Sequence, residues 1–306
     1  MQGAVSVRPD LTNLPQPRRR RGAMGWIRKY RLEIAMVLPF ALYILYFMLI
    51  PVVQSIWYSF VHAGTSEVTL DNYRTVINKS SFEAALTNTL GITLLGVSLE
   101  MVLGLGIAVM LSRSFRGRGI FRTVVLLPLG VPTLVAGAAM LYFVGFNGYL
   151  NRFLMDLNVI DVPIYWQQSG WRGIVSIALA DVWKALPLVV LILLAGIEGI
   201  PEDVYEAAGI DGATGWQKFV HHTLPLLMPS ITMALILRSI DAFRIFDIAM
   251  VLAGQNVQVM SSFVYWEYAA GNVNVASAAA VILLMMIAVF VGLYMIFVER
   301  RSEVDR

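Results

Sequence analysis

The chain has 306 residues, of which 58% are hydrophobic and 14% are charged. A soluble domain has about a quarter of its residues charged, so this composition excludes an ordinary soluble enzyme or binding module. The absence of cysteine excludes disulfides, thiolate metal sites and nucleophilic thiols. The net charge of +3 does not predict a nucleic-acid partner, because the positive residues lie mostly in loops and tails on one side of the predicted topology.

A polar, basic tail comes first. Residues 1–31 contain Pro9, Pro15, Pro17 and the run Arg18–Arg21, a composition typical of a disordered tail. A signal peptide is the alternative for such a beginning. However, the apolar run that follows is too long for one and has no small-residue cleavage site. The sequence therefore predicts an uncleaved first membrane span.

Six apolar segments are each long enough to cross about 30 Å of hydrocarbon as a helix. The predicted fold is therefore all-α, a polytopic helical membrane protein with six transmembrane helices. Its single membrane domain covers residues 32–298, and residues 299–306 form a C-terminal tail. The six predicted spans cover residues 32–60, 88–111, 123–146, 173–197, 223–252 and 275–298.

The distribution of Lys and Arg predicts the orientation of these spans. Six spans place both tails on the same side of the membrane. Sixteen of the 23 basic residues lie in the tails or in loops on the tail side, and three lie in the opposite loops. Because positive residues concentrate in cytoplasmic loops, both tails are predicted to be cytoplasmic.

Several charged residues lie inside the predicted spans, where each costs about 2.5–3.5 kcal/mol near the centre of the membrane. Those in the fifth span are spaced three apart, which aligns alternating charges along one face of a helix. Such residues are expected to face the protein interior and not lipid. They are Arg238, Asp241, Arg244 and Asp247 in the fifth span, Asp181 and Lys184 in the fourth, and Glu100 in the second.

These charges have two interpretations. Charges three residues apart could simply neutralise one another, in the pairs Arg238–Asp241, Arg244–Asp247 and Asp181–Lys184. Alternatively they mark a substrate path or a proton relay. A cavity between the fourth and fifth spans would present carboxylates and guanidinium groups beside the rings of Trp183, Phe243 and Phe246. Such a wall suits a sugar, although an amino acid or a phosphate ester would also find partners there.

The loop between the fourth and fifth spans predicts a short helix that needs a partner. Pro201 fits the first turn, the two acidic residues after it complement the helix dipole, and Gly212 supplies a stopping point. Val204, Ala207 and Ala208 fall on one side, where small side chains would let a partner surface approach closely. Because a helix of two to three turns is marginal in water, we expect it to dock on another protein.

This loop resembles the EAA loop of binding-protein-dependent ABC importer permeases. In that family Glu-Ala-Ala is followed by Gly at the fourth position after it and later by Leu-Pro. This chain has Glu206-Ala207-Ala208, then Gly212, then Leu224-Pro225. The stretch 201–229 looks like the sugar branch of the family, with His222 as a departure where an aliphatic residue is usual. The resemblance implies the type I importer fold, with the coupling loop at residues 199–222.

The resemblance extends to the spans on either side of this loop. Residues 181–187 match the fourth-span pattern of the family, and residues 241–247 are similar to the fifth span of trehalose- and maltose-type permeases. In maltose-type permeases the corresponding segments line the sugar site. The implied substrate path is Asp181, Lys184, Ala185, Leu188, Leu237, Ile240 and Asp241, to which the charges in the fifth span add Arg238 and Arg244. The implied ATPase-coupling residues are Val204, Glu206, Ala207, Ala208, Asp211 and Gly212.

The resemblance also implies alternating access powered by other polypeptides. The chain has no G-x-x-x-x-G-K-[ST] phosphate loop, so it is not predicted to be an enzyme. No catalytic residue, metal site or cofactor is expected on it, and ATP and Mg are expected on partner ATPase subunits. The implied location is a bacterial cytoplasmic (inner) membrane, and the implied cargo is a disaccharide such as trehalose or maltose. The expected partners are a second six-span permease subunit, two copies of an ABC ATPase, an extracellular or periplasmic substrate-binding protein, and membrane lipid.

Three other functions remain open at this point. The same class of importer could carry a glycerol-phosphate derivative, with an arginine pairing to phosphate. An ion-coupled secondary transporter would use Asp181, Asp241 and Glu100 as coupling carboxylates, but it leaves the loop helix without a role. A membrane-embedded enzyme would need catalytic groups placed close together, and the three histidines form no H-E-x-x-H or similar spacing.

Overall fold

The computed structural model describes residues 30–65 and 67–304. Within these residues six helical segments are long and apolar enough to cross a membrane, which confirms the predicted all-α, six-span fold. The predicted basic tail lies outside the described residues up to position 29. The spans cover Arg31–Ser59, Ser80–Ser112, Thr133–Asp156, Trp171–Glu198, Gly215–Phe243 and Val273–Ile296.

Helices α1 to α7 form the first three spans and the segments between them. The first span stays helical through a π-helical turn at Leu45–Leu49, and the second span is a single helix of 33 residues. The helices are α1 (Arg31–Ile44), α2 (Ile50–Ser59), α3 (Asp71–Ile77), α4 (Ser80–Ser112), α5 (Arg118–Leu126), α6 (Thr133–Val144) and α7 (Tyr149–Asp156).

Helices α8 to α14 form the remaining spans and the segments between them. A π-helical turn at Phe219–Thr223 lies within the fifth span and leads directly into α11. The last helix continues past the predicted end of the sixth span, so residues 299–304 of the predicted tail are helical. The helices are α8 (Trp171–Glu198), α9 (Glu202–Ile210), α10 (Gly215–Lys218), α11 (Leu224–Phe243), α12 (Asp247–Ala253), α13 (Met260–Ala269) and α14 (Val273–Val304).

The second, fourth and fifth spans, α4, α8 and α11, pack against one another around an aliphatic cluster that includes Leu111, Leu193 and Leu227. Glycine allows a close approach between α4 and α8, because a Cβ at Gly104 would lie 2.7 Å from Cγ1 of Val189. Small residues at such contacts let membrane helices pack tightly. This three-helix centre fixes the positions of the charged side chains described below.

Two spans are interrupted where the sequence predicted continuous helices. The third was predicted over residues 123–146, but α5 ends at Leu126, a 3₁₀ turn occupies Leu127–Gly130, and α6 begins only at Thr133. The two prolines at positions 128 and 132 account for this break, because proline lacks an N–H donor and its ring disfavours a helical residue before it.

The fifth span was predicted over residues 223–252, but α11 ends at Phe243 and α12 begins at Asp247. The backbone N–H groups of Arg244 and Ile245 bond carbonyls only three residues back, a tightening that is common at helix ends. The predicted single charged face over positions 238 to 247 is therefore wrong, because position 247 belongs to a separate helix.

Candidate functional site

The two interrupted spans open a cavity of about 490 Å³ beside the fourth and fifth spans. This volume is in the range of small-molecule sites, which are about 300–1,000 Å³. The 3₁₀ turn before the third span contributes Leu129, and the first residue of that span contributes Thr133. The segment from Arg244 to Ile248 lines the cavity between α11 and α12. Non-helical backbone at membrane depth is tolerated where it lines such a cavity.

Seven of the nine side chains predicted for the substrate path line this cavity. They are Asp181, Lys184, Ala185, Leu188, Arg238, Asp241 and Arg244. The other two, Leu237 and Ile240, do not line it, and Leu237 is 42% exposed. These two lie on other faces of α11, which the family resemblance did not separate from the cavity face.

Of the three aromatic rings expected beside the charges, only Phe246 lines the cavity. Phe243 is buried and packs edge-to-face on Phe290 of the sixth span, and Trp183 is 37% exposed. The tight helix end at Arg244 and Ile245 separates Phe246 from the helical face that carries Phe243. The predicted fifth span was one continuous helix, so it could not show that Phe243 and Phe246 face different surroundings.

A buried cluster of charges lies at the inner wall of the cavity. Arg238 donates from Nε to Oε2 of Glu100 at 2.7 Å, and from Nη2 to Oε1 of the same carboxylate at 2.9 Å. Its Nη2 also donates to Oδ2 of Asp181 at 2.9 Å. All three residues are less than a tenth exposed. A guanidinium group suits this position because its planar fork matches two carboxylate oxygens at once.

The cluster continues towards the open part of the cavity through weaker contacts. Nη1 of Arg238 lies 3.7 Å from Oδ2 of Asp241, and Asp241 accepts a hydrogen bond of 2.8 Å from Arg244. The Asp241 and Arg244 side chains are 48% and 61% exposed. The charges therefore change from a buried triad to an accessible pair within one helical turn.

Two of the three ion pairs expected from spacing do not form. Asp181 pairs with Arg238 from another span, while Nζ of Lys184 donates to the carbonyl oxygens of Pro128 and Leu129 at 3.1 and 3.0 Å. Asp247 accepts a hydrogen bond of 2.6 Å from Thr133, and it does not pair with Arg244. Of the three expected pairs, Arg238–Asp241 forms, and Asp241 also pairs with Arg244 on its other side.

Sequence reasoning noted Glu100 as an intramembrane charge but did not place it with the site, and it missed Thr133. Glu100 lies 138 residues from its partner Arg238, so no local pattern could show the pairing. A usable signal existed in the charge count, because two carboxylates on the second and fourth spans require a buried cation. Thr133 had a weaker signal, the pair of prolines before it.

The loop helix α9 covers Glu202–Ile210 and ends in a Schellman motif. The N–H of Gly212 bonds the carbonyl of Gly209, and the N–H of Ala213 bonds the carbonyl of Ala208. This ending requires a left-handed residue, which Gly212 supplies with φ of 75°. The glycine at the fourth position after Glu-Ala-Ala is thus explained by helix termination.

The exposed face of α9 differs from the predicted one. Glu206, Ala207 and Asp211 are exposed and Val204 is half-buried, whereas Ala208 is 2% exposed and packs within this chain. The prediction that Ala207 and Ala208 share a partner-facing side is therefore wrong for Ala208. Consecutive helical residues lie about 100° apart, so close packing of one turns the other towards solvent.

The loop helix is fixed to the start of the fifth span. The hydroxyls of Tyr205 and Thr223 lie 3.1 Å apart, and Nζ of Lys218 donates to the carbonyl oxygen of Tyr205 at 2.9 Å. These contacts make α9 part of the structure that leads into α11. The loop helix is thus bonded directly to the segment that leads into the helix carrying Arg238 and Asp241.

A cavity lined by charged residues among helical spans is typical of a membrane transport protein. Here the fifth span, which lines this cavity, is also bonded to the loop helix α9. The chain belongs to the family of binding-protein-dependent transport system inner membrane components, whose sequence model matches residues 100–304. The resemblance seen in the coupling loop is thereby confirmed. The protein is accordingly a multi-pass permease subunit of the inner membrane and is not an enzyme.

Two relatives that cover most of this chain are sugar permeases by name. The chain is 35% identical over 279 residues to the trehalose/maltose transport system permease protein MalF of Thermococcus litoralis, covering 88% of this chain and 94% of that one. It is also 35% identical to the trehalose transport system permease protein SugA of Mycobacterium tuberculosis, covering 86% and 87%. A bacterial ABC transporter involved in the import of the acidic polysaccharide alginate contains a similar fold, with a TM-score of 0.79, 23% identity and coverage of 90% and 98%.

Proposed function

We propose that this chain is the membrane-spanning subunit of an ATP-driven importer that carries a neutral sugar, most simply a disaccharide such as trehalose or maltose. The observation that carries the proposal is that every cation of the cavity wall already has a partner, whereas carboxylate oxygens remain accessible. Its accessible carboxylates can accept hydrogen bonds from hydroxyl groups, and Phe246 supplies a flat apolar ring beside them. The names of the relatives described above support the same class of cargo.

The cavity is less suited to a glycerol-phosphate derivative. All three cations along its wall already have partners: Arg238 binds two carboxylates, Arg244 binds Asp241, and Lys184 binds two backbone carbonyls. A phosphate would have to displace one of these contacts while facing the carboxylates of the wall. A neutral polyol needs no such exchange, because hydroxyl groups both donate to carboxylates and accept from guanidinium groups.

The energy for transport is supplied by partner subunits in this proposal. Two copies of an ABC ATPase bind ATP and Mg, and one of them contacts α9 through its exposed residues Glu206 and Ala207. The other permease subunit completes the membrane part, and a binding protein delivers the sugar from outside. Closure of the ATPases moves α9, and the contacts from Tyr205 and Lys218 pass this movement to the fifth span. The cavity then faces outward and, after hydrolysis, inward.

The orientation follows from the same assignment. The loop that carries α9 must lie in the cytoplasm to meet an ATPase, which agrees with the excess of basic residues in the tails and in the loops on that side. Both termini are therefore cytoplasmic. The opposite ends of the spans receive the binding protein.

The test is transport by the whole complex in proteoliposomes, with this chain, its partner permease, the ATPase and the binding protein. We expect trehalose or maltose with the binding protein to stimulate ATP hydrolysis and to accumulate inside the vesicles. An uncoupler of the proton gradient should leave this uptake unchanged. Uptake that needs an ion gradient and proceeds without ATP would establish the secondary-transporter alternative, and competition by glycerol phosphate would establish the phosphate-ester alternative.

A further inference from the structure

A separate polar groove lies at the far end of the second span. Its volume is about 430 Å³, and it is formed by three parts of the chain: the start of α4, the turn before α8, and the loop after α12. The opposite end of α4, at Ser112, borders the loop helix α9. Because α4 has 33 residues, it is about 50 Å long. The groove therefore opens on the face away from the coupling loop.

The chemistry of this groove differs from that of the charged cavity. Eight of its ten lining residues carry hydroxyl, amide or carboxylate side chains, and Glu83 alone is charged. Amides and hydroxyls can donate and accept hydrogen bonds together, as sugar hydroxyls also do. An anion would meet Glu83 and no cation along the wall, and an apolar ligand would meet only Ala84. The polar lining consists of Ser80, Glu83, Thr87, Asn88, Ser169, Gln255, Asn256 and Gln258.

One wall of the groove is held by a hydrogen bond between α4 and the loop after α12, and this wall lies close to the charged cavity. Asn88 is 8% exposed and donates from Nδ2 to the carbonyl oxygen of Gln258 at 2.8 Å, which ties α4 to the loop after α12. Eight residues further along α4, a Cβ at Gly96 would lie 3.9 Å from Oδ2 of Asp181 in the cavity wall. Eight residues of helix span about 12 Å. A sugar in the groove would thus lie roughly one disaccharide away from the cavity.

We propose that this groove is a second, outer subsite for a neutral sugar, occupied between release from the binding protein and arrival in the charged cavity. The proposal rests on the proposed sugar-import function. The wall supplies hydrogen bonds to hydroxyl groups but no aromatic ring for stacking, so binding is weak. Weak binding suits a transport subsite, because the cargo has to leave it for the next site.

The absence of cysteine in the chain permits a direct test of occupancy. Thr87→Cys and Gln255→Cys each place one thiol on an exposed position of the groove, and Asp161→Cys places a control thiol on an exposed loop position outside it. The complete complex in lipid nanodiscs is treated with a membrane-impermeant maleimide, and the labelling rate of this chain is followed. Trehalose and maltose are titrated separately, with and without the binding protein.

We expect sugar alone to slow labelling of the two groove thiols along a saturable curve, because only the unoccupied fraction reacts. The rate should fall about tenfold when the sugar concentration reaches ten times the dissociation constant. The control thiol should label at a constant rate. Protection by sugar-free binding protein, without protection by sugar, would overturn the proposal and identify a protein-docking surface.

Wild-type uptake, measured in proteoliposomes from the same preparation, tests the proposed import function separately from the proposed outer subsite. If trehalose and maltose are transported but neither protects the groove thiols, the outer subsite does not exist and the import function stands. If neither sugar is transported, the proposed function itself fails. Folding of the Thr87→Cys and Gln255→Cys complexes is verified by a melting temperature and a gel-filtration profile equal to those of the wild-type complex.

Discussion

Replacement of Arg238 by methionine tests whether the buried charge cluster holds the permease together. The substitution keeps a flexible apolar stem but removes the guanidinium group that binds Glu100 and Asp181. Both carboxylates are less than a tenth exposed, so water cannot replace the lost donors. Removal of one partner from a buried ion pair costs about 3–5 kcal/mol, because the other charge remains buried and uncompensated.

Arg244→Met is a matched control on the same segment. Its side chain is 61% exposed and pairs with a half-exposed carboxylate, and exposed pairs contribute about 0–1 kcal/mol. The two variants remove the same chemical group from the same cavity wall. A difference of several kcal/mol between them is therefore due to burial and not to loss of a positive charge as such.

The assay is the thermal stability of the purified complex, together with the amount of folded chain extracted from membranes. We expect Arg238→Met to lower both strongly and Arg244→Met to leave both near the wild-type level. A triple variant, Arg238→Met with Glu100→Gln and Asp181→Asn, removes the uncompensated charges and should regain most of the lost stability. Equal stability of the two single variants would refute the reasoning, since it would show that Glu100 and Asp181 do not depend on Arg238.

Three further predictions concern transport. Glu206→Lys reverses an exposed charge on the loop helix, so the chain should still insert while ATP hydrolysis no longer drives uptake; normal uptake would remove the docking role. Asp241→Ala takes away an accessible carboxylate of the cavity at a stability cost of at most about 1 kcal/mol, so uptake should fall more than assembly, and an unchanged transport rate would leave Asp241 with a structural role only. Gly212→Val puts a branched residue at a φ of 75°, which costs about 1–2 kcal/mol and should weaken stimulation of the ATPase, whereas Gly215→Ala, where a Cβ meets no neighbour, should not.

The sequence predicted the number of spans and the existence of the loop helix because both depend on local patterns. Apolar runs of membrane length and a proline-to-glycine helical segment can be read from neighbouring residues. The resemblance to the family also predicted which face of the fourth span lines the cavity. Its lining residues are Asp181, Lys184, Ala185 and Leu188. The roles of these residues in transport stay predictions.

The parts that could not be predicted depend on contacts between distant residues. Spacing of three residues pointed to pairs within one helix, but Arg238 and Asp181 bind across spans, 57 residues apart. A buried cation takes the geometry that satisfies most of its donors, and that geometry is set by helix packing. The break after Phe243 was missed for a related reason, because no proline or glycine between positions 243 and 247 marks it.

The interruptions of the third and fifth spans are bonded to each other and to the fourth span at the cavity wall. A broken helix leaves backbone carbonyls that need donors inside the membrane, and Lys184 of the fourth span donates to two of them, at Pro128 and Leu129. Thr133 at the start of α6 binds Asp247 at the start of α12, so the two breaks are also joined to each other. Any rearrangement that opens the cavity must either carry these contacts along or exchange them for others. Since each of these hydrogen bonds contributes about 0.5–1.5 kcal/mol, we expect any change of access to proceed by a movement of whole spans that keeps the contacts intact.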